Sequence, residues 1–104
     1  MFVYLIQNLE TSKYKIGVSK NPQKRIKQLQ TGSGEELKLI SVYKTDNARK
    51  IESALHNKFT MYKSNGEWFE FGILEEVDFT KTCKKIDEGI IFFKKKWEYI
   101  HLKI

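Results

Sequence analysis

The stretch YKIGVSKNPQKRIKQL, Tyr14 to Leu29, decides the fold. Tyr14–Ser19 is rich in strand formers, and Asn21-Pro22 opens a helix with an N-capping side chain followed by proline at the first helical position. Ile26 and Leu29 share one helix face, and Lys24, Arg25, Lys27 and Gln28 fill the rest. Working outward, the apolar run Phe2–Gln7 pairs with Tyr14–Ser19 as a hairpin across the polar connection NLETSK. TGSGEE after Gln30 predicts the end of the helix, and LKLISVYK from Leu37 predicts a third strand. Asp46 or Asn47 caps a second helix with an apolar stripe of Ile51, Leu55, Phe59 and Tyr62, ended by Asn65-Gly66. EWFEF reads as a brief strand or a packed loop.

From Phe79 the apolar residues Phe79, Cys83, Ile86, Ile90, Phe93, Trp97, Ile100 and Ile104 recur at alternating intervals of four and three. This predicts an amphipathic helix whose stripe packs on the domain's own sheet, because Ile91 and Phe92 broaden it beyond a narrow coiled-coil seam. For residues 97–104 the pattern fits a strand as well as a helix. The expected fold is therefore α+β: a small antiparallel three-stranded sheet flanked by helices, with a core over residues 1–73 and a C-terminal helical extension over 74–104 packed on the same domain.

With 104 residues, 40% of them apolar, the chain is long enough for one modest core. A net charge of +6 favours a polyanionic partner, since neutralising phosphates releases counterions. A single cysteine, Cys83, excludes an internal disulfide and a paired-cysteine zinc site, which points to a reducing, intracellular and cytoplasmic setting. MFVYLI and GIIFF are too short to span a membrane, so no membrane partner is expected.

Chemistry concentrates in Tyr4, Tyr14, Lys15, Gly17, Arg25, Glu52 and His56. Alternation on the hairpin lets Tyr4 and either Tyr14 or Lys15 point to one side of the sheet, and Arg25 leans over the strand end. Arg49, Glu52 and His56 share a helix face away from the Leu55–Phe59 stripe. Each has an ordinary role too: Tyr4 as a packed aromatic, Arg25 and Lys24 on a solvated basic face, Glu52 paired with Arg49 or His56.

The order VYL, YKIG, NPQKRIKQL, IESALHNKF and GEWFEF over residues 2–71 resembles the GIY-YIG nuclease domain, in its bacteriophage-type branch with a Tyr-Lys-Ile-Gly second motif. The resemblance implies a metal-dependent DNA endonuclease, an enzyme hydrolysing phosphodiester bonds. It implies Tyr4 as base or positioner, Arg25 on the phosphoryl group, Glu52 as sole protein ligand to Mg²⁺ or Mn²⁺, and Gly17 leaving room for close approach. Lys15 and His56 would support the chemistry, and Tyr14, Gly17, Lys24 and Arg49 would bind substrate. One carboxylate suffices for Mg²⁺, which keeps most of its waters. Arginine pairs bidentately with phosphate, and a phenol acting as a base needs cations nearby.

Two departures stand out. Phe2 occupies the first-motif glycine position, and Lys15 replaces the second-motif tyrosine; Tyr14, one residue earlier, faces the opposite side. The helix position four after Arg25, often histidine or tyrosine in the family, is Leu29. Lys15 and Leu29 support a second reading, a catalytically inactive nucleic-acid-binding module. A third is a small phage or mobile-element protein that binds a host partner through its amphipathic tail. DNA, including branched or single-stranded forms, is the expected partner, with monomer and homodimer both open.

Overall fold

The computed structural model describes residues 1–64 and 66–102. Three antiparallel strands form the sheet: β1 (Phe2–Asn8), β2 (Tyr14–Ser19) and β3 (Leu37–Lys44), in the order β2-β1-β3. The helices are α1 (Pro22–Ser33), α2 (Ala48–Lys58), the short α3 (Ile73–Val77) and α4 (Phe79–Leu102), with a 3-10 turn at Thr60–Tyr62. The fold is α+β, with helices flanking the sheet on both faces.

Alternation on β1 divides the core. Val3 and Leu5 join Tyr14, Ile16, Ile51, Leu55, Phe59, Phe79 and Cys83 beneath α2 and α4. Tyr4 and Ile6 point the other way and meet Leu37, Ile26, Leu29 and Trp68 beneath α1. Full burial of an aliphatic side chain such as Ile51 or Leu55 contributes about 1.5–3 kcal/mol, so α2 is held by its stripe more than by propensity. On β3 the partner of Leu5 is Ser41 while that of Ile6 is Leu39, a bulge that leaves Ile40 between them. This extra residue lets Leu37 and Leu39 serve the α1 side and Ile40 and Tyr43 serve the α2 side, which explains the imperfect alternation of LKLISVYK.

The connection between β1 and β2 is organised by the buried Asn8. Its Oδ1 accepts from the backbone N–H of Glu10 and of Thr11 at 2.9 and 3.2 Å, and its amide donates to Glu35. At the start of α1, Asn21 caps as expected, its Oδ1 accepting from the Lys24 N–H at 3.1 Å.

Several expected boundaries move. Helix α1 runs through Thr31–Ser33 and stops at Gly34, where φ is +71° and the N–H bonds Gln30 O at 2.8 Å. Helix α2 ends at Lys58, with Phe59 and Tyr62 carried by the following turn instead of the helix; Asn65 lies outside the described residues. Asn47 precedes α2 without capping it through its side chain, which donates to Asp87 instead. EWFEF is a packed loop whose Phe69 bridges both Tyr14 and Lys63.

The expectation for α4 holds for half its length. Phe79 and Cys83 are fully buried and Ile86 and Ile90 pack against the same cluster. Beyond Ile90 the helix leaves the domain, and Phe93, Trp97 and Ile100 are exposed. Residues 97–102 are helical, and residues 103 and 104 lie outside the described region. No described helix is long and apolar enough to cross a membrane.

Candidate active site

Strand β2 is an edge strand, and α2 passes beside it closely enough for His56 Nε2 to lie 3.2 Å from the carbonyl oxygen of Ile16. An open cleft of about 560 Å³ forms around this edge. It is lined by Tyr4, Lys15, Gly17 and Val18 from the hairpin, Arg25 from α1, Arg49, Glu52, Ser53, His56 and Asn57 from α2, and Glu67 from the packed loop. Groups from opposite faces of the sheet thus meet around its rim.

Tyr4 and Gly17 are register partners on β1 and β2. A Cβ on residue 17 would sit 2.3 Å from the Tyr4 hydroxyl oxygen and 2.4 Å from Cζ. Only glycine lets the phenol lie across β2, so the room that Gly17 leaves is taken by Tyr4 itself.

Lys15 points to the same side. Its Nζ is 2.9 Å from a Glu67 carboxylate oxygen and 5.9 Å from the centroid of Trp68. The hydrogen bond from Lys15 and its charge hold the Glu67 carboxyl below the usual carboxylate range, with smaller help from His56 and Lys63. His56 also meets the edge of Phe69, their ring centroids 5.2 Å apart. Among the described residues no ion pair involves Glu52, so its carboxylate is not consumed by Arg49 or His56.

Two expected substrate-binding residues lie elsewhere. Tyr14 faces the α2 side, buried against Phe71 and donating its hydroxyl to Glu76. Burial first, then that bond and the Glu76 charge, push its pKa up to about 12, so it stays a neutral structural phenol. Lys24, next to Arg25 on α1, is exposed and does not line the cleft. Leu29 packs beside Tyr4 and Ile6.

Ser53, Asn57 and Glu67 line the cleft without having been singled out from the sequence. Ser53 follows Arg49 by four residues and Asn57 follows Ser53 by four, so they extend the cleft-facing side of α2, and that spacing was a usable signal. Glu67 had none, because only the fold-back of the loop onto Tyr14 brings it to Lys15.

Among the described residues no group of three or more His, Cys, Asp or Glu is placed to hold a metal ion. The donor set fits only a hard cation that keeps most of its waters and takes one carboxylate, that of Glu52. It does not fit a caged transition metal.

A family model described as the T5orf172 domain matches residues 1–87. The chain is 31% identical over 75 residues to 315L of Invertebrate iridescent virus 6, a protein named for a KilA-N domain. That match covers 67% of this chain and 32% of the viral protein, so the chain spans about a third of the relative's length. No solved structure matches the chain.

Proposed function

The chain belongs to the T5orf172 domain family, which is phage-associated and nuclease-like, and from that premise we propose a metal-dependent DNA endonuclease with GIY-YIG-type chemistry. The observation that carries this reading is the convergence of Tyr4, Arg25 and Glu52, distant in sequence, on one cleft with Lys15, Arg49 and His56.

In this reading Arg25 from α1 and Arg49 from α2, which both line the cleft, clamp a phosphodiester and neutralise charge that grows in the transition state. Tyr4 presents its phenol to the attacking water, with Lys15 and Arg25 lining the same cleft beside it. His56, anchored at Ile16, stands at hydrogen-bonding range of the cleft floor and can carry a proton to or from the leaving oxygen. Glu52 would hold Mg²⁺ or Mn²⁺, which when bound supplies charge neutralisation at the phosphoryl oxygen and acidifies a water. DNA of low sequence specificity, or of branched or single-stranded form, is the substrate this small cleft would serve. The viral relative's KilA-N name is compatible with a DNA-directed role.

The test is cleavage of supercoiled plasmid and of branched DNA with Mg²⁺, Mn²⁺ or chelator. Glu52→Gln and Arg25→Ala should each lower the rate by about a hundredfold or more while leaving the folded circular-dichroism spectrum intact. A second reading rests on the Lys15–Glu67 pair, which places a lysine already tied to an acid where the resemblance expects a tyrosine. If wild type and both variants bind DNA equally and none cuts, that reading, a binding module without turnover, replaces the first.

A further inference from the structure

The distal half of α4 carries large apolar side chains that the described residues leave largely exposed. Phe93 is 69% exposed, Trp97 61% and Phe92 61%, and Tyr99 and Ile100 are also exposed. At roughly 200 Å² per aromatic side chain, Phe93 and Trp97, four apart on one face, leave on the order of 250 Å² of aromatic surface in water.

The patch is ordered. Ile86, Ile90, Phe93, Trp97 and Ile100 continue the four-three spacing that packs Phe79 and Cys83 into the core, so the seam runs on past the domain. Trp97 is braced by His101, their ring centroids 3.7 Å apart and nearly parallel, with His101 Nδ1 2.9 Å from the Trp97 carbonyl oxygen. Along the seam lies an apolar groove of about 680 Å³, lined by Ile86, Gly89, Ile90, Phe93 and Trp97, with Lys50, Lys94 and Glu98 on its rim.

Gly89 is the second observation. A glycine inside a helix costs about 1 kcal/mol against alanine. A Cβ there would meet nothing within 4 Å, so no packing within the chain requires its absence. The missing methyl leaves the groove wall open at this position.

We propose that this groove docks an amphipathic helix of another protein, with aliphatic residues at heptad spacing and acidic residues on their flanks. Spacing selects a helix, since an a/d seam accepts knobs from a second helix and matches no extended chain. Charge selects an acidic one: Lys50 and Lys94 rim the groove and Lys96 lies on the other flank of the seam, against the single acid Glu98. A second copy of this chain is the poorer occupant, because it would bring the same lysine-rich flanks against these.

The probe is a synthetic helix of about three heptads, leucine at a and d and glutamate at e and g, titrated into the full chain by calorimetry. A matching peptide with lysine at e and g is the control. Binding of the glutamate peptide should be at least about tenfold tighter than that of the lysine peptide, and weaken about tenfold in Trp97→Ala. Gly89→Ala should raise the thermal midpoint of the free protein and yet weaken the peptide, a pairing that a purely structural glycine would not produce. Equal binding to wild type and Trp97→Ala overturns the proposal. So does failure of the glutamate peptide to bind, or sedimentation of the free protein as a dimer that Trp97→Ala dissolves.

Discussion

At the scale of single residues, the cleft depends on two close approaches. Gly17→Ala forces the Tyr4 ring off β2 and should destabilise the protein by about 1–3 kcal/mol in urea titrations. Tyr4→Phe should not rescue it, because Cζ remains 2.4 Å from the added methyl. Tyr4→Ala should, so that the double variant loses less than the two single losses added together. The second approach is Lys15 to Glu67. Because Glu67 is largely exposed, the pair is weak and a phosphate can displace the carboxylate with little penalty. Glu67→Gln should therefore raise DNA affinity about two- to fivefold in metal-free buffer, and have no effect in a Lys15→Met background. The shared face of Arg49, Glu52 and His56 was legible in the sequence because helix periodicity assigns it, while Tyr4 and Arg25 were singled out by the motifs they sit in. Glu67 was not, since a loop has no period from which its direction can be read.

Among the elements, α4 is joined to the sheet by Asp87, a buried carboxylate. Its oxygens accept from Tyr43, Thr45 and Asn47, each at 2.9 Å. Burial pushes its pKa up, but the donors Asn47, Tyr43 and Thr45 together outweigh it and hold the carboxyl below its ordinary value. The stabilisation is complete above the unfolded value of about 3.9 and is lost as pH falls through the lower folded one. Asp87→Ala should cost about 1–3 kcal/mol at neutral pH, by stranding three donors. Asp87→Asn should flatten the loss of stability measured as pH falls below about 4. On the alkaline side Tyr43 behaves oppositely. Burial and the Asp87 bond raise it to about 12, and its contribution persists below pH 10 and fades as pH climbs through 12. Strand and helix identities could be read from pattern, and their ends less so. Gly34, not the first glycine of TGSG, stops α1, because the left-handed residue has to fall where the last turn closes on Gln30. Asn47 looked like a cap, but a buried aspartate forty residues away claims its amide.

For the molecule as a whole, extents of 56 × 28 × 22 Å reflect a compact sheet-and-helix body with half of α4 projecting from it. Removal of residues 91–104 should leave a cooperative transition and move the thermal midpoint by less than about 5 °C, as read by scanning calorimetry, since those described side chains are exposed. A larger drop would mean that the projecting half supports the core. Periodicity revealed which side of this helix is apolar, but could not reveal how far the domain reaches along it, because that depends on where the sheet runs out. The cleft's position has a last consequence. Past Tyr14, which bridges Phe69, strand β2 has β1 as its ladder partner on one side and the cleft on the other. Backbone groups left free on a sheet margin are a rail for a further strand. A short peptide laid along Ile16–Val18 would take the Ile16 carbonyl from His56 and cover Tyr4 and Lys15 without mimicking a nucleotide, offering a route to inhibitors that compete through main-chain geometry.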